Sequence, residues 1–158
     1  LAQKYIAMKN LKPGLIAPAF SLEDENGKVV SLSDFAGKVI YIDFWGVSCG
    51  PCIFQFDEFT PKLHTNYRDK GVVFLNICVD ANKKEWKDGI KKHNVGGINL
   101  IAEGWSNHPV AKAYNVLAIP HYVIVNRDGT IADNNAARPS DILSNPSKNA
   151  IDFAMEKR

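Results

Sequence analysis

Val39-Ile40-Tyr41-Ile42-Asp43-Phe44-Trp45 runs directly into Gly46-Val47-Ser48-Cys49-Gly50-Pro51-Cys52-Ile53. The first seven residues form a short, nearly continuous apolar run, as expected of a strand buried on both faces in a sheet that is at least partly parallel. From Cys52 onward the apolar residues change period: Phe56, Phe59, Leu63 and Tyr67 recur with helical spacing. Between the two patterns lie two cysteines three positions apart, a spacing that can close a small disulfide. Cys49 therefore falls at the N-terminus of a helix. Free backbone N–H groups and the helix dipole stabilise a thiolate there. Cys52 lies about one turn in, more buried, where it can resolve a mixed disulfide. Gly50 permits close approach, and Pro51 suits a first helical position, which needs no N–H. A cysteine pair that follows a strand and opens a helix is the expected context for redox chemistry.

Asp43 breaks the apolar run between Ile42 and Phe44. A carboxyl buried there has its pKa raised by desolvation. It can then accept and return the proton of Cys52, directly or through a water. The alternative is a capping or surface acid.

The rest of the chain places this segment in an α/β pattern. Phe20 and Leu22 face Val30 and Leu32 across Asn26-Gly27, a hairpin with a tight turn. Ser33 is positioned to cap a helical turn ending at Gly37. Pro61 lies inside the helix that follows Cys52, predicting a kink near Thr60 before the helix ends at Gly71. Val72–Val79 is a second buried strand. Asn82 with Glu85 forms a capping pattern for a helix carrying Trp86, Ile90 and His93 on one face. Gly96-Gly97 breaks the chain before a strand at Ile98–Ile101, and Pro109 starts another helix. His121–Val125 and Thr130–Ala132 pair across Arg127-Asp128-Gly129. Residues 133–146 read as a polar surface loop, and Ser147 as the cap of a final helix. Residues 1–17 form a lead-in to a single domain spanning 1–158.

Composition narrows the function classes. The 158 residues are 46% hydrophobic and 23% charged, with a net charge of +2. That suffices for one ordinary globular core. No basic block argues for nucleic acid, and no apolar run approaches the ~20 residues that span a bilayer. The chain opens at Leu1, read as a processed or trimmed end, so a missing targeting segment proves little. Three cysteines are too few for a disulfide-stapled scaffold. The four scattered histidines do not supply the second ligand pair of a structural zinc site. Cys78 reads as an inert buried thiol and His121 as a strand residue. Trp86 and Trp105 read as packing residues. Pro120 opens a strand, and bare statistics favour a trans bond, since about 5–6% of X–Pro bonds are cis.

Asp43-Phe44-Trp45, Cys49-Gly50-Pro51-Cys52 and Ile119-Pro120 before a strand and hairpin resemble thioredoxin. Longer features resemble the TlpA/ResA-like thiol-disulfide oxidoreductases of the wider AhpC/TSA class. These are Pro18-Ala19-Phe20-Ser21-Leu22, the Asn26-Gly27 hairpin, Leu32-Ser33-Asp34-Phe35-Ala36-Gly37-Lys38 and the segment between the Val72–Val79 strand and Pro109. The resemblance implies a thioredoxin fold, a central mixed β-sheet flanked by helices, with an N-terminal β-hairpin and a central αβ insertion. It implies Cys49 as nucleophile, Cys52 as resolving thiol and Asp43 as buried acid; no cofactor or metal is expected. Pro120 becomes a cis proline facing the cysteines, and the backbone of Ile119 pairs with a bound substrate strand. Gly50, Pro51, Ile119 and Pro120 form the substrate-binding set.

The implied partners are protein disulfides, apocytochromes c and other envelope proteins among them, and an upstream, membrane-bound thiol electron donor. The implied location is extracytoplasmic, in a periplasm or cell envelope, with a cytoplasmic one as the alternative. Ser48 replaces the tryptophan often found before the first cysteine. Gln55 stands where many TlpA/ResA-like proteins have glutamate, which leaves more of the proton handling to Asp43. Two other readings share the residues. One is a thiol peroxidase, although Gly46 stands where peroxiredoxins place threonine. The other is a copper-binding chaperone using Cys49, Cys52 and His121.

Overall fold

The structure is a computed structural model and describes residues 10–145 and 147–157. Most of the expected lead-in, residues 1–9, lies outside the described residues. Among the described residues, seven strands form one mixed sheet in the order β2-β1-β5-β4-β3-β6-β7. They are β1 (Ser21–Asp24), β2 (Val29–Ser31), β3 (Val39–Trp45), β4 (Val72–Cys78), β5 (Ile98–Ile101), β6 (His121–Val125) and β7 (Ile131–Asp133). The helices are α1 (Gly50–Glu58), α2 (Thr60–Asn66), α3 (Lys83–Lys92), α4 (Pro109–Ala113), α5 (Pro139–Ser144) and α6 (Ala150–Glu156).

β3 is an interior strand, parallel to β4 and antiparallel to β6. All seven of its residues are buried, as the apolar run predicts. Strand alternation divides them between two cores. Ile40, Ile42 and Phe44 pack on one face with Leu75, Ile77, Leu100 and Val123. On the other face Val39 and Tyr41 join Leu63, Tyr122 and Ile151, while Trp45 joins Cys52, Phe56, Trp86 and Ile90.

The hairpin forms as expected, with Leu22 opposite Val30 and Gly27 at φ 79° in the turn. β5 adds antiparallel to β1 and parallel to β4. The buried amides of Asn76 and Asn99 are neighbours in the β4–β5 register. Asn76 Nδ2 donates to Asn99 Oδ1 at 3.2 Å and to the Gly96 carbonyl at 2.7 Å. Gly97 at φ 72° lets this turn pass close to β4, where a Cβ would lie 2.9 Å from the Phe74 carbonyl.

Four expectations about local structure change. The helix after Cys52 does not merely kink: it stops at Glu58 and restarts at Thr60, with Phe59 between at φ −129°. Pro61 thereby falls in the first turn of α2, where its missing N–H is not needed. The cap of the 3₁₀ turn Leu32–Phe35 is Ser31, not Ser33, and Asp34 accepts the Ser31 N–H at 2.9 Å. The final helix is capped by Asn149, not Ser147, with Asn149 Oδ1 accepting the N–H of Ile151 and Asp152. The expected 133–146 loop contains α5, which Pro139 opens and which buries Pro139 and Ile142. The Asn82–Glu85 cap of α3 is as read, with Glu85 N–H donating to Asn82 Oδ1 at 2.9 Å.

Candidate active site

The site is built where β3 hands over to α1. After Trp45, a three-residue turn at Gly46–Ser48 is closed by Cys49 N–H donating to the Gly46 carbonyl at 3.2 Å. Cys49 is the N-cap of α1, and its carbonyl accepts the Ile53 N–H at 3.0 Å. Its sulfur, half-buried, accepts the backbone N–H of Cys52 at 3.2 Å. A sulfur at a helix N-terminus with an N–H aimed at it is set up to carry negative charge. Cys52 is only 1% exposed, packed with Trp45, Phe56 and Trp86. The two sulfurs are joined as a disulfide with a Cα–Cα separation of 5.2 Å. Gly50 and Pro51 form the exposed first turn of α1.

Asp43 is 3% exposed, and burial holds its carboxyl well above the usual range. Its Oδ1 has no hydrogen-bond partner. By alternation it sits on the same sheet face as Tyr41 and Trp45, between the two core clusters on that face. In register it lies beside Asn76 on β4 and Tyr122 on β6. Its charge adds to burial in raising the hydroxyl pKa values of Tyr41 and Tyr122.

The Ile119–Pro120 peptide bond is cis. It directly precedes β6, whose His121 is in register with Phe44 near the end of β3. Ile119 packs against the cluster of Trp45 and Cys52, which Cys49 also touches, so the fold gathers both cysteines and Ile119. Beyond Pro120 lies a cleft of about 370 Å³ lined by Tyr114, Leu117, His121, Asn134 and Asn135. His121 Nε2 is buried without a partner, and burial lowers the ring's pKa. Among the described residues, no group of three or more His, Cys, Asp or Glu side chains is arranged to hold a metal.

Two contributions were not read from the sequence: the part played by Asp80, and the tie made by Gln55, which the sequence showed only as a replacement for glutamate. Gln55 is buried and bonded to Ser140 of α5, an element read as loop. Asp80, just past β4, accepts the N–H of Val47 at 2.8 Å and of Ser48 at 3.1 Å, bracing the turn before Cys49. An acid directly after the Val72–Val79 run, read as a second buried strand, was the available signal for Asp80. Cys78 is buried, its thiol pushed up to about 12 by burial. Trp86 is fully buried, and the Trp105 indole donates to the Val116 carbonyl at 3.0 Å, so both pack as read.

The Redoxin family model matches residues 12–148. The chain is 28% identical over 127 residues to the thiol-disulfide oxidoreductase ResA of Bacillus subtilis, covering 80% of this chain and 69% of that one. It superposes on the thioredoxin domain of a thiol-disulfide oxidoreductase from Bacteroides vulgatus with a TM-score of 0.75 and 27% identity, covering 85% and 94% of the two chains. A thiol:disulfide interchange protein from Bacteroides sp. gives the same TM-score and identity, over 85% and 88%. With a CxxC pair at disulfide distance on a matching fold, the chain belongs to the Redoxin family and is a thiol-disulfide oxidoreductase of thioredoxin fold.

Proposed function

We propose that the protein is a disulfide reductant in which Cys49 attacks, Cys52 resolves and Asp43 moves the proton. The observation that carries this reading is the asymmetry of the pair. Cys49 is half-exposed at a helix cap with an N–H on its sulfur, while Cys52 is sheltered on the face that holds an unpartnered carboxyl.

The Cys49 thiolate attacks one sulfur of a client disulfide. The client S–S bond breaks, a Cys49–client disulfide forms, and the leaving client thiolate takes up a proton. Cys52 gives its proton to ionised Asp43 and attacks the Cys49 sulfur. That closes Cys49–Cys52 and releases the second client thiolate, which regains the proton. Two electrons pass from the dithiol to the client, and an upstream dithiol donor restores the pair. The packing of Ile119 against the cluster that gathers both cysteines supports docking of an extended client strand on the Ile119 backbone, with Gly50 and Pro51 at its edge. Exposed Leu117, in the cleft beside Pro120, offers apolar contact to that strand.

The clients are protein disulfides in an extracytoplasmic compartment, apocytochromes c among them, and the donor is a membrane-bound thiol protein. Among the described residues no helix is long and apolar enough to cross a membrane. The Gly50-Pro51 pair between the cysteines supports a potential nearer the roughly −270 mV of thioredoxin than the roughly −120 mV of DsbA. Equilibration with a dithiothreitol or glutathione couple tests this. A potential above about −180 mV contradicts the reductant reading.

A further inference from the structure

The groups that hold the turn in front of Cys49 come from a different strand. β3 and β4 run parallel with Trp45 opposite Cys78, and the ladder continues one bond further, Val79 N–H donating to the Trp45 carbonyl at 3.0 Å. That register delivers Asp80 to the side of Gly46–Ser48. Its two oxygens divide the turn, Oδ1 accepting the Val47 N–H at 2.8 Å and Oδ2 the Ser48 N–H at 3.1 Å. The Cys78 thiol donates to Oδ1 at 3.7 Å. The turn is cut to admit the carboxylate: a Cβ on Gly46 would lie 2.3 Å from Oδ2 and 2.4 Å from Cγ. α3 closes the other side through Gly89, where a Cβ would meet Val47 Cγ1 at 2.9 Å.

We propose that Asp80 is a positioning residue for the thiol–disulfide reaction, fixing the turn that presents Cys49 and biasing the pair toward strong reduction by keeping a negative charge beside the residue that precedes the nucleophile. This rests on the assignment of Cys49 as nucleophile made above. The N–H groups of Val47 and Ser48 are partial positive charges that Asp80 occupies, so they cannot turn to a thiolate. The carboxylate's own charge opposes thiolate formation at Cys49. Both effects leave the reduced form less stabilised, which makes the dithiol the stronger reductant. Cys78 serves as a strut: its buried S–H stays protonated and donates to the brace.

The test uses the full chain as wild type, Asp80→Asn and Gly46→Ala, whose added methyl displaces the carboxylate while leaving it charged. Two quantities are read: the pH midpoint of Cys49 alkylation by iodoacetamide, and the equilibrium constant with glutathione. In Asp80→Asn the midpoint is expected to fall by roughly half a unit or more. The equilibrium shifts toward the dithiol about threefold or more, which is about 14 mV for a two-electron couple. Gly46→Ala moves both in the same direction by less, and it supplies the answer if Asp80→Asn does not fold. A purely structural role would lower the unfolding midpoint and leave both quantities unchanged; that result overturns the proposal. If Cys49 of the wild type is not the faster-alkylating thiol, the nucleophile assignment fails first and the proposal falls with it. The wild-type measurement alone distinguishes that case.

Discussion

Gln55 and Ser140 hold each other by two hydrogen bonds: Gln55 Nε2 donates to Ser140 Oγ at 2.9 Å, and Ser140 N–H donates to Gln55 Oε1 at 3.0 Å. The pair ties α1, the helix that opens on the cysteines, to α5. Both ends of the amide are used, so Gln55 is committed to this tie. Gln55→Ala strands the Ser140 N–H and removes both bonds. We expect a loss of about 1–3 kcal/mol in urea unfolding, with Cys49 alkylation little changed.

Asp43→Asn keeps the shape and removes the proton acceptor. Resolution of the Cys49–client disulfide at pH 7 is expected to slow roughly tenfold or more. The defect shrinks at high pH, where Cys52 ionises unaided. Stopped-flow reduction of a peptide disulfide across pH 6–10 checks this. A uniform loss at every pH would assign Asp43 a structural part only.

The same carboxyl sets a stability slope. Burial raises its folded pKa, so the folded chain keeps a proton that the unfolded chain releases above the ordinary carboxylate value of about 3.9. That contribution is complete below the unfolded value and is lost as pH rises toward the folded one. Asp43→Asn lacks the slope. Its urea midpoint should gain on the wild type as pH is raised from about 4, with no gain below that.

The two cysteines should separate cleanly in trapping. Cys52→Ser retains the attacking thiol and accumulates the mixed disulfide with a client, visible by non-reducing electrophoresis and reversed by dithiothreitol. Cys49→Ser should trap nothing, because the remaining sulfur of the pair is 1% exposed and Cys78 is buried. Adducts through Cys52 would invert the assignment.

Asn149 and Ser147 offer a local test of capping. Asn149 Oδ1 accepts two backbone N–H groups of α6, and its Nδ2 donates to Tyr67 Oη at 2.8 Å. Asn149→Ala is expected to cost about 1–2 kcal/mol, and Ser147→Ala close to nothing. Thermal melts of the two variants suffice.

The redox segment could be read from one sequence because each signal is local. An apolar strand, a cysteine pair and a helical period abut, and Asn82 with Glu85 or Gly96-Gly97 punctuate within a few residues. The cap errors were local too, and a stricter rule would have caught them. Ser31 and Asn149 each have an aspartate three residues on, whereas Ser33 and Ser147 have alanine there. α5 was harder: six residues with few apolar positions leave little periodicity, and its partner Gln55 is 85 positions away. Asp80 was hidden for the same reason. Its role follows from the register between two parallel strands, which no run of neighbouring residues encodes.

The amide pair Asn76–Asn99 has a wider effect than its size suggests. Sliding β5 by one residue against β4 would turn the Asn99 carboxamide onto the opposite, hydrocarbon-lined face and break its bond with Asn76. Only one alignment of the inserted unit is therefore tolerated. The polypeptide that supplies α3 is latched in a single position, and Gly89 meets Val47 in the same place each time a molecule folds.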